Sequence, residues 1–451
     1  MPQRRGPAGT SARTIPAIAV TAIAIGSVLG LAGCAPGSSG GAPTTSVPVS
    51  TDVGADKVEL TLYDGQGLQG VDDALIAGFE KDFPNITITG SYDPDNVHAQ
   101  NLPRTLSSDN APDLAQSTSI VDEVTDGLFL DLDGYEKAYG WDDLGTQLAA
   151  ARVSDDLKQG SGSLYGVPYG FVFSGVYYNK KLADQIGLTT LPATIDEFEA
   201  ALAKAKAAGI TPIIAAGQLG LGTAAFQNLL DAYAGAEPVS DWVYRADDAS
   251  IDTPAALTAA EKLKAWIDAG YFNADVNSTT QDASYSRFAD GEALFMMQGS
   301  WANPILAKAA APDSYGFIAP PTDGADGVKT AVYNSATIGI SARSAHPNEA
   351  AAFLNWLRSD AAREIVLANG NIPLSTGSSV PTESGSVTES LVSVFDAVSA
   401  DGGLVPFVQN ATSGINNSAW VPQTQSLFGD QITPKQFLAN IQKAYEDELG
   451  R

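Results

Sequence analysis

The stretch Phe288-Ala289-Asp290-Gly291-Glu292-Ala293-Leu294-Phe295-Met296-Met297-Gln298-Gly299-Ser300-Trp301 decides how this chain is read. Its apolar run reads as a strand. Gly299-Ser300 follows, and Asn303-Pro304 comes just after Trp301. Trp301 therefore stands where a strand ends and a helix begins, which is where α/β proteins bind ligands.

Outward from this point strands and helices alternate. Val58-Glu59-Leu60-Thr61-Leu62-Tyr63 has period-two apolar residues and reads as a strand. Val71, Leu75, Ile76 and Phe79 make a helical face that Pro84 ends, and Ile86 with Ile88 begins another strand. Thr194-Ile195-Asp196-Glu197 is a capping box before a helix running to about Ala208. Thr253-Pro254 and Thr433-Pro434 each set an N-cap before a first-turn proline. His346-Pro347 opens a further helix with Phe353, Trp356 and Leu357 on one face. No fixed-period repeat is present. The pattern predicts an α/β protein with mainly parallel sheets.

Composition narrows the function. At 451 residues, 44% of them hydrophobic, the chain has material for two or three domains. It carries 25 Lys and Arg against 52 Asp and Glu, a formal net charge of −27. Nucleic-acid binding needs a basic surface to displace counterions and is excluded as a function class. Electrostatic docking on anionic lipid is disfavoured for the same reason. Cys34 is the sole cysteine, so no intramolecular disulfide forms. Only His98 and His346 add to the metal-ligating inventory, and no metal or cofactor is expected.

The start of the chain reads as an address. Arg4, Arg5 and Arg13 precede an uncharged run, Ile15 to Leu31. The run sits at the short limit for a membrane span and fits the apolar core of a secretory signal. It ends in Leu31-Ala32-Gly33-Cys34, which resembles the lipobox of bacterial lipoproteins. The resemblance implies a signal peptide over 1–33, cleavage before Cys34 and lipidation of its thiol. Residues 34–53 then read as the lipidated cysteine and a flexible tether rich in Gly, Pro, Ser and Thr.

Several motifs fail in context. Gly65-Gln66-Gly67-Leu68-Gln69-Gly70 matches a dinucleotide fingerprint, but an exported protein has little access to such a cofactor. It reads as a glycine-rich turn, or as a helix start presenting backbone N–H groups to a polar ligand. Gly37-Ser38-Ser39-Gly40-Gly41 matches a nucleophile elbow but lies in the tether. Asp131-Leu132-Asp133-Gly134 is a fragment of a calcium loop and reads as a turn. No carboxylate pair is singled out for glycoside hydrolysis.

Four blocks together resemble the carbohydrate-type solute-binding proteins of ATP-binding-cassette importers. They are Ala111-Pro112-Asp113-Leu114, the segment Tyr165 to Lys180, Pro192 to Phe198, and the opening stretch Phe288 to Trp301. In the last, Phe295 and Met296 sit shifted by one against the family pattern. The resemblance implies two α/β lobes with a ligand cleft between them and crossings near Pro168, Pro320 and Asn371. One lobe would hold 52–168 and 320–371, the other 169–319 and 372–451.

A sugar site needs aromatic platforms and planar polar groups. By the resemblance Trp301 stacks on a sugar and Trp420 supplies a second platform. The alternative for each is packing, which is the better reading of Trp266 and Trp356. Tyr169 follows the crossing and lines the hinge, or packs between lobes. Asp64 ends the first strand and accepts from two hydroxyls, or caps the next turn. Gln66, Ser117, Gln218 and Asn334 each follow an apolar run and are expected in contact with ligand.

The expectation is a monomeric, lipid-anchored receptor on the outer face of the cytoplasmic membrane. It would take a mono- or oligosaccharide to the permease subunits of an importer and perform no chemistry. The rivals are the same architecture binding a polyamine or peptide, and a secreted polysaccharide hydrolase.

Overall fold

Val58–Gly65 forms the first strand of the computed structural model, which describes residues 47–450 except 118–119, 219–222, 310–313, 377–379 and 413. The expected signal peptide, Cys34 and the tether through 46 lie outside the described residues. In chain order the strands are β1 (Val58–Gly65), β2 (Ile86–Asp93), β3 (Leu114–Ser117), β4 (Arg152–Val153), β5 (Ser163–Leu164) and β6 (Val167–Asn179). They continue with β7 (Thr211–Ile214), β8 (Ala293–Gly299), β9 (Tyr315–Ile318), β10 (Ala331–Ile340), β11 (Ile372–Pro373) and β12 (Leu404–Pro406).

The main sheet runs β2-β1-β3-β10-β6-β8-β7, and β4 with β5 forms a separate ribbon. β1 is parallel to β2 and β3, and β7 is parallel to β8. The centre departs from the expected parallel sheet. β10 runs antiparallel to both β3 and β6, and β6 is antiparallel to β8, β9 and β11. The reason is topological: β6 and β10 carry the chain in opposite directions through the middle of the molecule. β6 pairs with β10 over Val167–Phe173 and with β8 and β9 over Ser174–Asn179.

Helices cover the sheet in two α/β lobes, each with its own buried cluster. The first gathers Leu60, Leu62, Leu75, Phe79, Phe171 and Phe353. The second gathers Phe198, Phe226, Leu263, Trp266, Phe295 and Phe437. β6 feeds both, with Tyr169, Phe171, Phe173 and Tyr177 in the first and Val176 in the second. Gly175 is required where β9 crosses it, because a Cβ there would lie 2.1 Å from the Phe317 ring.

Local signals hold where a mechanism supports them. Thr194 and Glu197 close a reciprocal capping box, as do Thr433 and Gln436. Thr253 accepts from the Ala256 N–H at 3.2 Å, ahead of Pro254. Asp113 takes the Thr61 N–H at 3.0 Å and the Ser344 hydroxyl at 2.7 Å, tying β1 to the segment after β10. Trp141 and Trp242 are core residues stacked on Tyr139 and Tyr445.

The last residues of the expected tether touch the folded body. Asn348 accepts from the Ser50 N–H at 3.0 Å and donates to the Pro48 carbonyl at 3.2 Å. The same carboxamide oxygen takes the Tyr135 hydroxyl at 2.7 Å, and Val53 packs against the first core. Residues 48–53 are thus held to the folded body, because one buried-edge asparagine pairs with the strap's backbone groups.

Candidate functional site

A cleft of about 820 Å³ opens beside the carboxyl ends of β1 and β3. One wall comes from the first lobe. Asp64, Gly65, Gly67 and Leu68 form the turn leaving β1, and Gln116 and Ser117 end β3. His98 and Leu102 come from the helix Asp95–Leu106, and Asp122 and Glu123 from the helix Ile120–Thr125. The opposite wall is built by Arg245, Gln409, Asn410 and Thr412, with Glu448 and Leu449 from the last helix. A small recess adjoins it, sharing Ser117 and Asn410 and adding Asn334, Tyr244 and Tyr333. The two tyrosine hydroxyls lie 3.2 Å apart.

The electrostatics are dominated by acids. Asp64 is buried, and its Oδ1 accepts the Gly65 N–H at 2.5 Å. Behind it lies Asp72, also buried, whose carboxyl is pushed up to about 7 by burial, with the nearby Asp64 and Tyr169 pulling the other way. Glu123 accepts the Ser117 hydroxyl at 3.1 Å, and burial pushes it up to about 7. Glu448 differs: burial works to raise it, yet the Ser418 and Thr412 hydroxyls and the Gly414 N–H hold it below the usual range. Arg245, at a positive φ of 62°, donates from Nε to the Ala411 carbonyl at 2.8 Å. Among the described residues no three His, Cys, Asp or Glu converge closely enough to hold a metal ion.

The expected ligand residues divide. Asp64 and Ser117 line the cleft, and Asn334 lines the recess. Gln66 is exposed beside it, its N–H given to the Asp93 carbonyl at 2.7 Å. Gln218 is exposed elsewhere, and its carbonyl accepts from Gln425 Nε2 at 3.2 Å. Tyr169 is enclosed in the first core, so it packs rather than lining an accessible hinge. Trp420 is 0% exposed between Phe226, Trp242 and Phe437, because its turn faces inward onto the last helix. It presents no platform to the cleft. Trp301 is half-buried outside the cleft lining, with its indole N–H given to Gln298 at 3.1 Å and its ring 5.8 Å from Phe407. Its ring lies over Gly299, where a Cβ would come within 1.9 Å of it.

The second wall escaped sequence reading. Arg245, Asn410 and Glu448 come from segments far apart in the chain and only the fold unites them. Asp122 and Glu123 were within reach, since they follow the end of an apolar strand just as Asp64 does.

Two lobes around a polar cleft define a solute-binding architecture. Residues 65–364 match the family described as bacterial extracellular solute-binding protein, and the chain belongs to that family. It is 28% identical over 225 residues to a probable sugar-binding periplasmic protein of Mesorhizobium japonicum, covering 49% of this chain and 51% of that one. It is 27% identical over 251 residues to a putative binding protein of Brucella abortus, covering 54% of this chain and 57% of the other. The match thus spans about half the length of these relatives. Among solved structures a chitin oligosaccharide binding protein superposes with a TM-score of 0.68 at 23% identity, over 88% of this chain and all of that one.

Proposed function

We propose that this protein is a carbohydrate receptor held outside the cytoplasm by a lipid on Cys34, and that it passes its sugar to an importer permease. The observation that carries the reading is the cleft itself, with hydrogen-bonding side chains converging from both lobes. The likeness to the probable sugar-binding protein of Mesorhizobium and to the chitin oligosaccharide binding protein supports sugar as the solute class. The cleft volume suits a mono- to oligosaccharide. Asp64, Ser117 and Asn334 are the contacts carried forward from the sequence. Trapping the solute between lobes asks for no chemistry, and family membership supports a binding role.

Thermal-shift screening against a panel of neutral and charged sugars, polyamines and peptides tests the ligand class. A ligand at about 100 times its Kd adds about 2.7 kcal/mol to folding stability. Stabilisation by a polyamine or peptide with none by any sugar would overturn the reading. For the anchor, mass spectrometry of the mature chain is expected to show acylated Cys34, and Cys34→Ser to release the protein from membranes. An unmodified thiol would refute that part alone.

A further inference from the structure

We propose that the cleft selects a glycan carrying a protonated amine over its neutral N-acylated counterpart. This deepens the carbohydrate reading and rests on it.

The first observation is charge. Asp64, Asp122 and Glu123 stand on one wall and Glu448 on the other, with Arg245 as the one Lys or Arg lining the cleft among the described residues. Arg245 Nε is already committed to the Ala411 carbonyl. Among the described residues no salt bridge reaches Asp122, Glu123 or Glu448. Carboxylates on opposite walls, too dispersed for a metal ion, match an extended organic cation that spans the gap.

The second observation is independent of charge. Gln116 lines the cleft at 4% exposure, and no partner takes its carboxamide among the described residues. Its polar atoms are not sealed off from the cleft, so a ligand there can take the place of water as their partner. A hydroxyl-rich or amine-bearing ligand does so, and a carboxamide oxygen accepts directly from an ammonium group.

The third is what the lining lacks. Its apolar part is aliphatic, from Leu68, Leu102 and Leu449, and among the described residues no Trp, Tyr or Phe lines the main cleft. A neutral sugar gains much of its hold from a ring stacked on its C–H face. Without that platform, discrimination falls to charge-assisted hydrogen bonds, which are about twice as strong as neutral ones. The net charge of −27 adds long-range attraction for a cation.

The test is calorimetric titration of the chain with glucosamine and its β-1,4-linked di- and trisaccharide, each beside its N-acetylated form, at a pH where the amine is protonated. The amine member of at least one pair is expected to bind about tenfold more tightly at low salt, with the gap shrinking at high salt. Asp122→Asn and Glu123→Gln should each narrow the gap several-fold. Asp122 makes no salt bridge, so its variant keeps the test alive should Glu123→Gln fail to fold. Equal or tighter binding of the acetylated forms would overturn the proposal and leave the carbohydrate reading standing. So would a neutral hexose binding where no amine does. Binding of spermidine with no sugar bound at all would overturn both.

Discussion

Trp420 shows what a single residue's surroundings decide. In sequence it stands in a polar stretch that resembles a binding loop, yet its ring fills the second core. Trp420→Ala is expected to cost about 3–5 kcal/mol of stability, as for large aromatic deletions in cores, with ligand affinity unchanged in the folded fraction. Its indole N–H has no partner among the described residues, so Trp420→Phe should cost far less. Chemical denaturation of the two variants checks both. A second residue-scale outcome concerns pH. Burial raises Asp72 and Glu123 to about 7, and raises Asp231 well above its ordinary value. A carboxyl whose folded value exceeds its unfolded one stabilises fully below the unfolded value, and that stability is lost as pH rises through the folded value. The urea midpoint should therefore be higher at pH 5 than at pH 8. Asp72 alone contributes roughly 2.5 kcal/mol to this difference. Asp72→Asn should flatten the profile. Carboxylates held low, such as Asp275 and Glu448, act only in more acidic solution and leave this window untouched.

At the scale of elements, legibility followed locality. Capping boxes and prolines at Thr194, Thr253 and Thr433 act within four residues, so the sequence shows them directly. Thr194→Ala should lower stability by about 1 kcal/mol, measurable by thermal unfolding. Strand direction is not local. β10 lies antiparallel between β3 and β6 because of where the chain returns, and no periodicity records that. Ser174 illustrates the hidden layer. At the middle of β6 its hydroxyl donates to Asn228 at 2.9 Å and accepts the Val332 N–H at 3.0 Å, joining β6, β10 and the helix Thr223–Ala234. Ser174→Ala leaves two buried partners unpaired and is expected to cost about 1–3 kcal/mol. Val, close in shape, should not rescue it, whereas Thr should recover part of the loss.

For the molecule as a whole, the α/β class and the family were legible from four short blocks. The cleft was legible only on one side, at Asp64 and Ser117, because the facing wall is assembled from residues scattered between Arg245 and Leu449. The lobe boundaries at 168, 320 and 371 remain a proposal that domain motion would test. A ligand touching both walls binds the closed form better and by that difference shifts the population toward it. Small-angle scattering at saturation should show a smaller radius of gyration. An unchanged radius beside confirmed binding would mean that the lobes do not move.

The central position of β10 also sets the order in which a growing chain can finish folding. β3 finds its second neighbour only when residues 337–340 arrive, about 220 residues later. Closing so long a loop is entropically slow, so the first three strands wait with an open edge while the rest is made. A chain that crosses a membrane as an extended thread gains from this delay. Its leading half is kept from locking into a sheet before the trailing half has followed it out.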